Sequence, residues 1–423
     1  MSILVRHRIG GWLPRDHQVL QRWLARKIAQ VDANPQPFQP VIKEFQDLIE
    51  RDAEIYMDFH QMFDQVPTKP PYNNDPTGTC QIRDYMHMLA LFNKIITEAP
   101  DFEEADYKVG LVGFPINAIL DWPMGTPAGL TAFVNYKVNA QFKKMFDVWA
   151  AFLTSSASCY VLTTDTTGWF GPNASAAMPN FTQTYVCDPT AQYYGFKSWD
   201  HFFTRLFQPG VRPVMFPDDD RIVISACEST VYKMAFDIKA LDTFWLKGEP
   251  YSLNHMLNND VLAPQFVGGT VYQAFLSATK YHRWHSPVNG TVVKTVMIPG
   301  TYYAESPAMG FLNPEGPDPG APNLSQGFIT AVAARSLVFI QADNPTIGLM
   351  CFIAVGMAEV STCQVTVQEG QVLKKGDEMG MFHFGGSTHC LVFRPGTSVT
   401  FNPDYPVDAD VSLHAPIATI AST

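Results

Sequence analysis

The sequence predicts an α+β chain, a helical N-terminal region followed by a mainly β region, and three observations predict it. Up to about residue 157, apolar residues recur at three- and four-residue steps, the spacing of one buried helix face. From Arg221 onward, short β-branched runs alternate with Gly, Pro and Asn-Gly turns, the pattern of strands in a sandwich or barrel. Between the two lies a polar stretch, Ser155 to Asn180, rich in Gly, Thr, Asn and Ser. The expected division is a helical domain over 1–157, a linker or loop over 158–195, and a β-rich domain over 196–423.

Taken in order, Asp16 to Val31 reads as an amphipathic helix on Val19, Leu20, Trp23, Leu24 and Ile28, ended by a Pro-rich joint from Asn34 to Pro40. One helix is expected from Val41 to Phe63, with Glu44, Asp47, Glu50, Asp52 and Asp58 on its solvated face. Pro67 to Gly78 reads as a loop, and helices follow over 81–98 and from Ala128 to Leu153, with a mixed, Pro-interrupted region between them. Ser198 is placed to N-cap a short helix from Trp199 to Leu206. Strands are expected at Ile222–Ile224, Thr230–Tyr232, Thr270–Tyr272, Thr291–Val293, Leu337–Ile340 and Gly348–Val355. Tyr251 to Asn258 reads as a helical insert, and Gly300 to Gly327 as a long loop placed to cover a site. Residues 362–382 suggest a hairpin-rich sandwich like that of lipoyl carriers, with turns at Gly370, Gly376 and Gly380.

Bulk properties exclude several functions. A formal charge of −11 argues against a general nucleic-acid surface or an anionic membrane as partner. Seven cysteines without a C-x-x-C pair read as reduced thiols of an intracellular protein. No apolar run is long enough to span a bilayer. Residues 1–27 carry six basic residues against Asp16 alone, so a mitochondrial transit peptide is the alternative to a structural first helix in a cytoplasmic protein.

The chemistry concentrates in two strings. Phe382-His383-Phe384-Gly385-Gly386-Ser387-Thr388 sets a serine after two glycines, where the backbone can bend sharply. A hydrolase elbow, G-x-S-x-G, fails because His389 stands at its last position. Self-processing fits better: the Ser387 hydroxyl can attack the Gly386 carbonyl through a five-membered ring, given a base and an oxyanion donor. The second string, Tyr281-His282-Arg283-Trp284-His285-Ser286-Pro287, offers imidazoles at 282 and 285. Zinc ligation is the alternative for that pair, but no Cys or carboxylate stands nearby at metal-like spacing, and no metal is expected. Glu228 is the best available carboxylate to steady His285. Lys374-Lys375 would suit a carrier lysine at a hairpin tip, although the Asp-Lys pair usual there is missing.

Together Phe202-Phe203-Thr204-Arg205, Pro209-Gly210-Val211-Arg212-Pro213, Tyr281 to Pro287 and Gly386-Ser387-Thr388 resemble the phosphatidylserine decarboxylase family, in the family's order, over roughly residues 196–423. The helical half resembles the extension found on a fungal branch that includes soluble aromatic L-amino-acid decarboxylases. The resemblance implies autocatalytic cleavage between Gly386 and Ser387, with Ser387 becoming a covalent pyruvoyl cofactor that forms a Schiff base with substrate, and no pyridoxal phosphate. It also implies His285 as the self-cleavage base, Glu228 as its acidic partner, and His282 in decarboxylation and proton delivery. Glu228 stands where the family has aspartate, and Gly385 where membrane enzymes carry a larger side chain. A small free aromatic amino acid, tryptophan first, is the expected substrate, with phosphatidylserine the alternative. Trp284, Phe382 and Phe384 are the aromatic residues expected near it. The cleaved chains are expected to stay associated, without nucleic-acid or membrane partners.

Overall fold

The computed structural model describes residues 17–70, 72–73, 81–102, 114–242, 250–277, 279–306, 325–360, 362–383 and 387–421. Helices occupy the first half and strands the second, an α+β arrangement. The first helix is His17–Ala33, and Val19, Leu20, Trp23 and Leu24 are buried as its spacing requires.

Two long helices expected from the sequence are each divided by a capping residue. Asp52 takes an extended conformation between Pro40–Arg51 and Ala53–Asp64, and its carboxylate accepts from the Glu54 and Ile55 amides. Asn135 separates Pro127–Val134 from Tyr136–Leu153 and accepts from the Lys137 amide. Periodicity survives such a break, so spacing alone does not reveal it; the short acceptor side chain does. Asp58 does not lie on the solvated face: it is buried, which raises its pKa, with Glu54 adding to the effect. A helix over Pro115–Met124 was not expected from the Pro-interrupted region; Pro115 stands at its start, where the missing N–H costs nothing. The stretch 158–195, expected as linker or loop, forms short helical turns and buries Trp169 and Phe170 in the same core as the helices.

The strands are β1 Ile222–Ile224, β2 Ser229–Ala235, β3 Thr270–Leu276, β4 Arg283–His285, β5 Gly290–Ile298, β6 Arg335–Ala342 and β7 Leu349–Gly356. They continue with β8 Thr362–Val365, β9 Val372–Leu373, β10 Glu378–His383, β11 Ser387–Phe393, β12 Val399–Phe401, β13 Asp410–Val411 and β14 Pro416–Ile420. Among the described residues they form three sheets: β1-β14-β12, β4-β10-β8, and an open eight-stranded sheet, β13-β2-β3-β11-β7-β6-β5-β9. Of the sandwich or barrel expected, no closed barrel forms among the described residues. Every residue of β11 is buried, because the strand lies between β3 and β7 in antiparallel register and is covered on both faces. Alternation sends Leu391 and Phe393 into one apolar core and Cys390 and Val392 into another.

Gly370 and Gly376 occupy positive-φ turns as read from the sequence. Gly380 does not turn; it lies within β10 because a Cβ there would meet the Trp284 ring at 2.5 Å. Trp284 itself is fully buried, packed on Phe352 and Phe382. Both aromatic residues belong to an apolar core cluster; Phe384 lies outside the described residues.

Helical and β halves meet at Glu359, three residues beyond the Gly356 that pairs with Ser387. Its buried carboxylate accepts from the Ile116 amide at 2.8 Å, at the start of helix Pro115–Met124, and from the Tyr303 hydroxyl at 3.2 Å. Burial raises its pKa to about 7, although these hydrogen bonds pull the other way. The folded state therefore holds this proton more tightly than the unfolded chain, and stability declines as pH rises from about 4.5 to about 7. At roughly 1.4 kcal/mol per unit, the loss is about 3 to 4 kcal/mol. Glu359→Gln should lack this component, so urea melts should show the variant gaining on the wild type between pH 5 and pH 8. A difference independent of pH would contradict the assignment.

Candidate active site

Ser387 begins β11, with Leu276 of β3 on one side and Gly356 of β7 on the other. Its side chain is buried, and its hydroxyl has no hydrogen-bond partner among the described residues. Phe384, Gly385 and Gly386 lie outside the described residues. Only these three positions separate His383, the last residue of β10 in the small sheet, from Ser387 in the large one. On the opposite face the Thr388 hydroxyl accepts from Gln273 at 3.0 Å and donates to the Ala274 carbonyl at 3.0 Å. Gln273 is in turn held by Gln326 and Tyr251, so the strand head is fixed by buried side chains as well as by backbone.

The motifs noted in the sequence interlock. Ser198 caps helix Trp199–Phe203 by accepting from the His201 amide, as expected. Phe203 stacks on His282, with ring centroids 3.9 Å apart. The Thr204 carbonyl accepts from Arg283 at 2.7 Å, and Arg283 also pairs with Glu378 at 2.8 Å. The Arg205 guanidinium is buried, lies over Tyr185, and donates to the carbonyls of Thr279 and Lys280. A guanidinium has five donors in a fixed fork, which suits it to gathering carbonyls in a dry interior. It holds the chain just ahead of Tyr281 and His282. His282 is fully buried, and its carbonyl accepts from the Phe382 amide at 2.9 Å. That places it beside the end of β10 that leads toward Ser387.

His285 sits at the other end of the same pairing, opposite Glu378. Its Nδ1 donates to the Gly376 carbonyl at 2.7 Å, which leaves Nε2 to accept from the Tyr281 hydroxyl at 3.0 Å. Gly376 is required there: its φ is +89°, and a Cβ would strike Val214 at 2.4 Å. Burial holds the His285 pKa down to about 4, with His414 and Arg283 adding repulsion, so the ring is neutral at physiological pH. His414 packs edge-on against it at 5.1 Å.

Among the described residues Glu228, expected as the acidic partner of His285, shares no hydrogen bond with it. Its carboxylate accepts from Arg212 Nη2 at 2.6 Å and Nε at 3.0 Å, and from the Leu413 amide at 2.7 Å. Both ring nitrogens of His285 are engaged elsewhere. The physical reason is Arg212, whose fork matches a carboxylate in two bonds and lies over Phe207, itself stacked on Tyr281. Ser387 and His285 share no hydrogen bond, and His282 and His285 turn to different partners. Spacing gave no hint that Tyr281, Gly376 and His414 would surround His285, although Tyr281 stands inside a recognised string. In the sequence His389 stands out only as the residue that breaks a G-x-S-x-G elbow. It is a fully buried imidazole on the Ser387 face of β11, between Tyr272 and Phe352, and burial lowers its pKa to about 3. Lys375 is no carrier tip: its ammonium donates to the Phe216 and Asp219 carbonyls at 2.9 and 2.8 Å.

Arg212→Met should leave the Glu228 carboxylate largely buried and unpaired, at a cost of about 3 kcal/mol. Adding Glu228→Gln should recover part of that loss in the double variant. Denaturant melts of the two single variants and the double check this; strict additivity would contradict the pairing.

Two family models, both described as phosphatidylserine decarboxylase, match residues 39–178 and 199–413. The chain is 45% identical over 349 residues to decarboxylase iboD of Amanita muscaria, covering 78% of this chain and 99% of that protein. It is 38% identical over 404 residues to L-tryptophan decarboxylase of Psilocybe cubensis, covering 91% and 88%. Phosphatidylserine decarboxylase proenzyme 3 of Schizosaccharomyces pombe is 32% identical over 211 residues, covering 50% of this chain and 20% of that one. Among the described residues, no helix is long and apolar enough to cross a membrane.

Proposed function

For a chain that belongs to the phosphatidylserine decarboxylase family and is a carboxy-lyase, we propose that Ser387 cleaves its own bond to Gly386 and that the matured protein decarboxylates a free aromatic L-amino acid, tryptophan first. The observation that carries this reading is the Ser387 hydroxyl, buried and without a partner among the described residues at the head of a clamped strand, where an unsatisfied polar group is costly. The hydroxyl attacks the Gly386 carbonyl, the C–N bond breaks, the hydroxyl proton passes to nitrogen, and an ester joins the two residues. Removal of the Ser387 α-proton expels the Gly386 carboxylate and leaves dehydroalanine. Water then displaces the nitrogen as ammonia, leaving a pyruvoyl group at the new terminus. When formed, that group supplies the electron sink for the pair released as CO2 departs.

His282, held by Phe203 and adjacent to Phe382, is the residue assigned to proton delivery. His285 serves as cleavage base in this reading only by releasing the Tyr281 hydroxyl, because its one free lone pair is taken. The fragment from residue 387 onward contains β11, which lies between β3 and β7, and β14, which pairs with β1 and β12, so the cleaved chains stay together. The substrate assignment is supported by the match to L-tryptophan decarboxylases over most of both chains, against half of this chain for the phosphatidylserine decarboxylase proenzyme of Schizosaccharomyces pombe.

Purified protein given free tryptophan and phosphatidylserine vesicles in parallel should release CO2 with the former; release from the vesicles alone would overturn the substrate assignment. Ser387→Ala should remain full length, with activity lowered at least a thousandfold. His282→Ala should still be cleaved while turnover falls about a hundredfold, within the usual range for a lost general acid. If His282→Ala blocks cleavage instead, its role lies in maturation.

A further inference from the structure

Self-cleavage of a backbone bond depends on how the peptide is presented, and the structure contains a side-chain clamp at that place which the reading above does not use. His383 is the last residue of β10 and stands four positions before Ser387. Its Nδ1 lies 2.8 Å from Asp200 Oδ1, and its Nε2 lies 2.8 Å from Gln364 Oε1. Its position in the strand is set by pairing with Thr362 of β8. Asp200 belongs to helix Trp199–Phe203, the same helix whose Phe203 stacks on His282. Both members are mostly withdrawn from solvent, at 17% and 11% side-chain exposure, so the pair is far less screened than a surface contact.

The consequence follows from chain length. Ser387 is fixed by β3 and β7, and His383 is fixed by its pairing with β8 and by both ring nitrogens. Three residues join two anchored points in different sheets, so the position of His383 constrains the bond that precedes Ser387. A displacement of about 1 Å in a reacting pair can cost on the order of a hundredfold in rate. We propose that Asp200 and His383 form a positioning pair for maturation: through helix Trp199–Phe203 they tie the segment entering the Gly386–Ser387 bond to the element that also holds His282. This rests on the self-cleavage reading. It assigns the pair to presentation of the bond and not to chemistry on the substrate.

The test is a time course of cleavage in full-length chain made by cell-free synthesis, with turnover measured per cleaved chain. His383→Ala and Asp200→Ala should each slow appearance of the fragment that begins at residue 387 by at least tenfold. The double variant should be no slower than the worse single. Turnover per cleaved chain should change less than threefold, and His383→Gln, whose amide can still reach Asp200, should recover at least half of the wild-type cleavage rate. Wild-type cleavage in either folded alanine variant would overturn the proposal, as would equal losses of cleavage and turnover. Failure of both alanine variants to fold would also overturn it, because the pair would then serve the fold as a whole. A wild-type chain that never cleaves would instead defeat the reading of Ser387 on which the proposal rests.

Discussion

One constraint governs the reactive region: the chain must pass from one sheet to another in three residues and arrive as the head of a strand that cannot move. β11 is paired on both edges and covered on both faces, so Ser387 has no freedom to relax toward solvent or toward a neighbouring donor. A buried hydroxyl without a partner is unfavourable in an ordinary fold. Here strand pairing outweighs it, since displacing Ser387 would break backbone bonds to two neighbours and disturb the Thr388–Gln273 contact beneath them.

Around that strand head, buried charge organises the pieces. Arg205 gathers the carbonyls at 279 and 280, Arg283 joins Thr204 to Glu378, and Arg212 holds Glu228. Arg205 and Arg283 reach partners at least 74 residues away, so the helix Trp199–Phe203, the Tyr281–His285 string and β10 become one unit. The same interactions limit the chemistry. A carboxylate gripped twice by arginine is unavailable to an imidazole, and an imidazole whose two nitrogens are both bonded is a neutral, weakly basic group until one partner leaves. The helical half shares in this frame through Glu359, whose carboxylate ties the 3-10 turn Ala358–Val360 to the first turn of helix Pro115–Met124.

Much of the fold was legible because burial imposes periodicity. The helix faces of the first half and the six β-branched runs each fall on an observed element. At three of the places where the structure departs from that pattern, one residue decides locally: Asp52 and Asn135 each end a helix that spacing alone would continue, and Trp284 requires a glycine at 380 within a strand. The reactive serine and the histidine string were legible because their residue types carry chemistry. Their partners were not. Glu228 and His285 looked paired by type, and only the three-dimensional position of Arg212 separates them. Asp200 and His383 lie 183 residues apart, a distance across which no local pattern operates.

The central claim is that an internal serine becomes the reactive terminus of a second chain. Intact-mass analysis of catalytically competent protein tests it most directly. The account predicts two chains, the smaller beginning at residue 387 with a pyruvoyl group in place of serine. An active chain of full length, with Ser387 unmodified and still joined to Gly386, would contradict it.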